Sequence, residues 1–225
     1  MNEVDLARHV IKWLEEQHWD VYQEVQFRYM SGIADIVAVR ASIIWIIETK
    51  TALSLAVLEQ AHNWRSHLRS IAVPACVSDS HGRGVAYGIA KDYLKIGVIE
   101  VGRRNEFVKE VVEPPIMRQY HEFASDMRKQ LKPIQKTYRA AGSNGGGYWT
   151  PYRETMDAVR RFVSSHPNCT LKQIMDDIKG EHHYASSATA RSSIRVALSN
   201  WESDWCVVHN DGKEFTYSLK DGLRR

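Results

Sequence analysis

Residues 33–50 read IADIVAVRASIIWIIETK, and this stretch decides the fold. It contains two runs rich in β-branched and aromatic residues, Ile33–Arg40 and Ile43–Lys50, separated by only two residues. Such runs are typical of β-strands, and the short connection favours an antiparallel hairpin. Each run also carries one acid near its end, Asp35 in the first strand and Glu48 in the second.

The two acids and a nearby lysine indicate a cation site. Charged residues are seldom buried unless they are paired or bind a metal. The period-2 alternation of a strand puts Glu48 and Lys50 on one face and Thr49 on the other. Two carboxylates and an ammonium group suit metal-assisted hydrolysis of a phosphodiester. Two other interpretations stay open: Lys50 could form a surface ion pair with Glu48, and Asp35 could cap the turn at Ser31-Gly32.

The periodicity around this hairpin predicts an α/β domain, because helices and strands alternate with short links. The other predicted elements are a helix over Glu3–Gln17, a strand over Asp20–Phe27, a long helix over Leu53–Arg69, a strand over Ile71–Val77 that Pro74 moves towards an edge or a bulge, a helix over Gly84–Leu94 and a last strand over Gly97–Val101.

The second half of the chain predicts a smaller α+β domain. Ile116–Gln130 reads as a surface helix, and Ala140–Gly147 reads as a flexible linker by composition. Beyond it we predict three helices and a β-hairpin, the order of a winged helix: Pro151–Ser165, Thr170–Ile178 with Thr170 as N-cap, Ala185–Trp201 with Trp201 facing inward, then Cys206–His209 and Glu214–Leu219. The predicted domains are 1–112, a linking part 113–147, and 148–225.

The first domain resembles the PD-(D/E)xK nuclease superfamily over roughly its first hundred residues. Gly32-Ile33-Ala34-Asp35 resembles the first acidic motif, with Ala34 where a proline often stands, and Glu48-Thr49-Lys50 resembles the ExK motif. Gln60-Ala61-His62-Asn63-Trp64 looks like the Gln-x-x-x-aromatic motif of the RecB-like branch. The resemblance implies a restriction endonuclease-like fold, in which a mixed central sheet is flanked by helices.

The resemblance also implies catalytic roles. Asp35, Glu48 and the carbonyl of Thr49 would ligate Mg²⁺ or Mn²⁺, since hard cations take oxygen ligands. Lys50 would orient the attacking water or offset charge on the phosphate, and Gln60 would position the nucleotide backbone or that water.

The family tends to carry a glutamate on its first helix, for which Glu3 is the candidate. For Glu3 the alternative is a first-turn acid that complements the helix dipole, and for Gln60 it is a solvated helix residue. Glu24 is a fallback acid for the site, although its strand position favours exposure.

The second domain has features of a DNA reader. Its third helix carries Arg191, Ser192 and Arg195, which suit phosphate and groove contacts, and Lys213 lies at the hairpin tip where a wing would touch the backbone. Winged helices also bind proteins or serve as dimerisation modules, which stays an alternative. A run of basic residues before the linker could supply a phosphate track or form a solvated helix face: Arg128, Lys129, Lys132, Lys136 and Arg139.

Composition narrows the functional classes. No apolar run approaches the length of a membrane-spanning helix, so no membrane partner is expected. Three widely spaced cysteines predict neither a disulfide framework nor a zinc finger. We therefore expect a cytoplasmic setting, which includes a nucleoid-associated or phage-encoded protein, with a nucleus as the alternative. Only residues 103–147, with 9 basic and 5 acidic side chains, are clearly positive.

We therefore expect a Mg²⁺- or Mn²⁺-dependent deoxyribonuclease, an endonuclease acting on duplex or branched DNA. A second copy of the chain or a partner protein in a nucleoprotein complex could accompany it. The resemblance suggests a role in phage biology, mobile elements, restriction or repair. The chief alternative is a non-enzymatic DNA-binding or assembly protein that retains a decayed nuclease fold, and a more distant one is an RNA-directed nuclease.

Overall fold

The computed structural model describes residues 1–28, 30–76, 81–103, 107–143, 148–212 and 214–220, with side chains excepted at residues 81 and 82. The chain divides into two compact units, Met1–Trp149 and Thr150–Arg225. The residues between 113 and 143 belong to the first unit, although the sequence predicted a separate linking part there. No helix among the described residues is both long and apolar enough to cross a membrane.

Unit 1 is built on a mixed six-stranded sheet, and the predicted α/β class is confirmed. Its strands pair in chain order: β1 Asp20–Val25, β2 Ala34–Arg40, β3 Ile43–Thr49, β4 Leu68–Pro74, β5 Gly97–Val101 and β6 Val108–Val112. The β1–β2, β2–β3 and β5–β6 pairs are antiparallel, whereas β3, β4 and β5 run parallel. The sharp β2–β3 turn uses Ala41 in the left-handed region, at φ 53°.

Helices flank the sheet of unit 1. They are α1 Glu3–Glu16, α2 Leu55–Asn63, α3 His81–Gly88 continued by a π-helical segment Ile89–Leu94, a 3₁₀ turn Arg118–Tyr120, α4 His121–Gln130 and a second 3₁₀ turn Pro133–Lys136. Helix α1 shares one apolar core with alternate residues of β2 and β3, including Ile36 and Trp45. The residues on the opposite face, such as Val37 and Ile46, share a second core with Trp64 and α4. Both faces of β2 and β3 are therefore covered, which explains their nearly continuous apolar sequence.

The structure corrects three predictions for unit 1: the end of one helix, the place of one strand in the sheet, and which strand comes last. The long helix over Leu53–Arg69 ends at Asn63, because the guanidinium of Arg69 lies inside the fold and donates to the carbonyls of His62 at 2.5 Å and Leu94 at 3.0 Å. Strand β4 is central rather than an edge, and Pro74 is tolerated because it is the last residue of that strand. Gly97–Val101 is not the last strand, since β6 pairs with it.

The described residues of unit 2, 150–212 and 214–220, form three helices and a three-stranded antiparallel sheet in the order β7-β9-β8. The elements are α5 Pro151–Ser165, β7 Cys169–Thr170, α6 Leu171–Asp177, α7 Ser187–Asn200, β8 Cys206–Asn210 and β9 Phe215–Leu219. The predicted N-cap is confirmed, because the Thr170 hydroxyl accepts the Gln173 N–H at 3.3 Å. Trp201 was predicted to face inward, but it is 66% exposed because it lies just past the end of α7.

Candidate active site

Three carboxylates lie in a row across three neighbouring strands. The β1–β2 register pairs Gln23 with Ile36 and Val25 with Ala34, which places Glu24 opposite Asp35. The β2–β3 register pairs Ile36 with Ile47, and its continuation places Asp35 opposite Glu48. Like charges directly opposed in a sheet are destabilising, so folding stability does not account for this row. The exposed fractions are only 8% for Glu24, 9% for Asp35 and 0% for Glu48.

Asp35 is held by the neighbouring strand. Its Oδ2 accepts the backbone N–H of Thr49 at 2.7 Å and the Thr49 hydroxyl at 2.9 Å. It does not cap the Ser31-Gly32 turn through any described hydrogen bond. Burial raises the pKa of the Asp35 carboxyl, although the two bonds from Thr49 and the charge of Lys50 oppose that effect. Both described bonds end on Oδ2, which leaves Oδ1 available to a cation.

Glu48 is fully buried and accepts two hydrogen bonds from α2 and the residue just after it. Gln60 Nε2 donates to Oε2 at 2.5 Å, and the indole Nε1 of Trp64 donates to Oε1 at 2.6 Å. Gln60 is therefore not simply a solvated helix residue. Burial, followed by the negative charge of Asp35, raises the pKa of Glu48 well above its usual value. Both donors are neutral, so no cationic side chain pairs directly with this carboxylate among the described residues.

Lys50 reaches the first helix. Its Nζ lies 3.0 Å from Glu3 Oε2, so the described ion pair is with Glu3 and not with Glu48. Burial alone would lower the pKa of Lys50, but the bond to Glu3 and the charges of Asp35 and Glu48 raise it overall. Lys50 is therefore charged at neutral pH, and α1 places Glu3 at the same end of the sheet as the two buried acids.

The donor set fits a hard divalent cation. Two buried carboxylates whose pKa values are raised would be stabilised in their ionised forms by a divalent charge. Mg²⁺ is usually bound through one or two carboxylates and retains several waters. Asp35 and Glu48 supply the two carboxylates, and the Thr49 carbonyl would add a third protein oxygen. Within the described part of the chain, no cluster of three or more His, Cys, Asp and Glu side chains has ligating geometry, so such a site depends on waters for its remaining ligands.

Glu24 is the residue that sequence reasoning undervalued. The apolar alternation of β1 predicted an exposed side chain, whereas Glu24 is buried and adopts φ 50°. Its Oε1 accepts the N–H of Gly142 at 2.8 Å. Burial and then the charge of Asp35 raise the pKa of Glu24, against the opposing effect of the Gly142 bond. The pattern within β1 does not mark Glu24, because its burial follows from the pairing of β1 with β2 across an eight-residue connection and from the contact with Gly142.

The predicted reader residues of unit 2 differ in their surroundings. Arg191 and Ser192 are exposed on α7, and the Ser192 hydroxyl donates to the Thr189 carbonyl at 3.0 Å. The guanidinium of Arg195 lies 5.1 Å from the ring centre of Phe215 on β9, so it packs on the hairpin. Lys213 lies outside the described residues.

Of the basic residues before the linker that were predicted to bind phosphate, some are engaged in contacts within unit 1. Lys136 pairs with Asp20, and Arg139 donates to the Ser143 carbonyl at 2.5 Å. Both side chains therefore contribute to the fold of unit 1. Arg128 and Lys129 are exposed on α4.

The comparisons with known proteins assign no family. No family model matches the chain, and no curated protein matches it. The SPO1766 protein of unknown function from Silicibacter pomeroyi is 15% identical, with a TM-score of 0.38 over 55% of this chain and 82% of that one. The protein of unknown function AF1548 is 15% identical, with a TM-score of 0.32 over 86% of this chain and 96% of that one. Similarities this low support no conclusion about function. A proposed function therefore has to be argued from the residues of this chain.

Proposed function

We propose that the chain is a metal-dependent deoxyribonuclease of the PD-(D/E)xK type, and that unit 1 has the restriction endonuclease-like form of the mixed sheet. The observation that carries this proposal is the buried pair Asp35 and Glu48, opposed on neighbouring strands, with Lys50 directly after the strand that carries Glu48. Buried carboxylates without a cationic partner are costly to a fold, and strongly perturbed carboxyls in such a setting indicate a functional site. The motif spacing and the observed contacts of Gln60 and Glu3 support the same residues.

The residues divide the chemistry between them. Asp35, Glu48 and the Thr49 carbonyl would hold Mg²⁺ or Mn²⁺. The chemistry supplied by the bound cation is polarisation of the scissile phosphate and a lower pKa for an attacking water. Lys50 keeps its proton and faces the phosphate as a compact positive charge, which offsets charge that grows in the transition state.

Supporting contacts fix the orientation of the two buried acids. Gln60 and Trp64 hold both oxygens of Glu48, and the two donors of Thr49 hold Asp35. Partners of this kind restrict the rotation of ligating carboxylates and tune the affinity for the metal.

Unit 2 is proposed to hold the DNA as a winged-helix domain. Its three helices and small antiparallel sheet have the matching order, and Arg191 is exposed on the third helix. Because that unit is nearly neutral in charge, we assign it a role in orientation rather than in the bulk of the electrostatic affinity.

The proposal is tested by cleavage of supercoiled and branched DNA with Mg²⁺, Mn²⁺ or EDTA. We expect Asp35→Asn, Glu48→Gln and Lys50→Met each to lower the rate by at least about 100-fold while the fold persists. Three exposed residues supply matched controls with unchanged rates: Asp92→Asn, Glu59→Gln and Lys12→Met.

Three outcomes separate the alternatives. Cleavage that persists in Glu48→Gln would show that the activity comes from another site or from a contaminant. If the wild-type chain shifts duplex DNA but releases no fragments at any metal concentration, the decayed-nuclease alternative replaces the enzyme. Cleavage of RNA in preference to DNA would change the substrate class.

A further inference from the structure

The segment Lys136–Ser143, which we call the strap, is bonded to the first strand beside the acids. The side chain of Gln23 donates to the Lys136 carbonyl at 2.5 Å and accepts the Ala141 N–H at 3.0 Å. Ala141 is only 1% exposed and belongs to the core that contains α1. The composition of residues 140–147 predicted a flexible linker, but Ala141 and Gly142 are buried within unit 1, and residues 144–147 lie outside the described part.

Gly142 joins the strap to two acids at once. Its N–H donates to Glu24 Oε1 at 2.8 Å, and its backbone has φ 74°. A Cβ atom at this position would meet Glu3 at 2.8 Å from its carbonyl carbon, 2.9 Å from its Cβ and 2.9 Å from its carbonyl oxygen. Contacts of that length do not occur in folded proteins, so only glycine fits between the two acidic residues.

We infer that the strap is part of the site, and that Gly142 is the residue through which it positions Glu24 and Glu3. This inference rests on the proposed function and names the residues that control the acids of that same site. Glu24 completes the row with Asp35 and Glu48, and Glu3 holds Lys50. The Gly142 backbone therefore lies between the far end of the carboxylate row, where the Ser143 backbone also hydrogen-bonds Glu24, and the residue that pairs with the lysine.

The physical consequence of a side chain at Gly142 follows from what lies next to it. The atoms that its Cβ would meet belong to the backbone and Cβ of Glu3, in the first turn of α1, and not to the end of a flexible side chain. This turn is also fixed by Asn2, whose side chain accepts the Asp5 N–H at 2.7 Å. Either Glu3 moves away from Lys50, or Gly142 withdraws its N–H from Glu24.

The deciding experiment compares Gly142→Ala with Gly180→Ala in the full-length chain. Gly180 has a similar positive φ, 89°, but nothing lies within 4 Å of its Cβ position. The backbone strain of an L-residue is thus matched, and only the contact with the site differs. Changes in residues that support ligating groups cost about 10- to 100-fold in metal affinity or activity. For Gly142→Ala we expect the Mn²⁺ concentration for half-maximal cleavage to rise by about tenfold, with DNA affinity unchanged.

Two further measurements keep the test decisive. Gln23→Ala removes both side-chain bonds to the strap and leaves Gly142 in place, so it should raise the required Mn²⁺ concentration by roughly threefold even if Gly142→Ala fails to fold. Amide hydrogen exchange in the first turn of α1 should become faster in Gly142→Ala and not in Gly180→Ala. This exchange needs no metal and no cleavage, so it tests the positioning even if the proposed nuclease activity fails.

The inference is overturned if Gly142→Ala and Gly180→Ala have the same metal requirement and the same exchange in α1. It is also overturned if Gly142→Ala loses DNA affinity while its metal requirement stays at the wild-type level, because the strap would then act on substrate binding. A metal requirement that rises in Gly142→Ala alone supports it, and so does faster exchange of the Asp5 and Leu6 amides, which are hydrogen-bonded to Asn2, in that variant alone.

Discussion

We expect Glu48→Gln to stabilise the metal-free protein at about pH 8, although it abolishes the proposed activity. The protonated form of Glu48 and glutamine have nearly the same shape. Glutamine can keep its oxygen on the Trp64 N–H and present its amide N–H to the oxygen of Gln60, if Gln60 rotates its own amide. Both hydrogen bonds at Glu48, at 2.6 and 2.5 Å, then survive with neutral partners.

The size of the effect follows from two opposing contributions. Hydrogen bonds to a charged group are worth about 1 kcal/mol more than neutral ones, so the loss of charge forfeits about 2 kcal/mol over the two bonds. Burial of an uncompensated carboxylate costs several kcal/mol. The raised pKa of Glu48 gives the sign, because the fold prefers the neutral form. We expect a net gain of about 2 kcal/mol, or a melting temperature higher by roughly 4–8 °C.

The assay is thermal and urea-induced unfolding of the full-length chain in EDTA at about pH 8, monitored by tryptophan fluorescence. Glu59→Gln is the matched control, since Glu59 is exposed on the same helix and its replacement should change stability by less than about 0.5 kcal/mol. Addition of Mg²⁺ should stabilise the wild type and leave Glu48→Gln unchanged. If Glu48→Gln unfolds at a lower temperature than the wild type in EDTA, the account of a costly buried charge is refuted.

Three further predictions follow from the same structure. Because the pKa values of the carboxylate row are raised, its contribution to metal-free stability is fully present below the ordinary carboxyl pKa of about 4 and is lost as the pH rises through the higher folded-state values. Unfolding midpoints in EDTA should therefore fall as the pH rises above about 4, and Mg²⁺ should restore them once the acids are ionised. Arg191→Ala should weaken DNA binding and lower the salt slope by about one, measured by fluorescence anisotropy, while exposed Arg153→Ala on α5 should not. Thiol titration of the native chain should label exposed Cys76 first, since burial raises the pKa of Cys169 and raises that of Cys206 to about 12; equal rates for all three would contradict the burial.

The central hairpin could be predicted from the sequence because its pattern is local. Asp35 lies near the start of one apolar run and Glu48 near the end of the next, and the two-residue connection between the runs fixes the register that pairs them. The N-cap role of Thr170 could also be predicted, because Thr170 and its partner Gln173 lie within one turn of the helix. In both cases, the residues that interact are close together in the chain.

The errors occur where a distant contact overrides a local pattern. The apolar periodicity that predicted a helix through Arg69 does not reveal that this side chain donates to the carbonyls of His62, near the end of α2, and Leu94, at the end of the π-helical segment. Glu24 looked exposed because alternation within one strand does not reveal a partner at Gly142, 118 residues away. The burial of Glu24 and its bond to Gly142 thus depend on tertiary contacts, which cannot be predicted from the residue pattern of one strand.

The strap also has a consequence for the order in which the molecule assembles. The row of acids is formed by two hairpins whose paired residues are close in sequence, so it can come together early and quickly. The bond between Gly142 and Glu24 closes a loop of 118 residues, and the entropy of closing such a loop is lost before the contact contributes anything. A chain that has folded only its hairpins would therefore have Glu24 and Glu48 on either side of Asp35, while Glu24 lacked its bond to Gly142 and Glu3 remained unplaced. The arrangement that we propose to bind metal is then completed only when the chain has folded through residue 143.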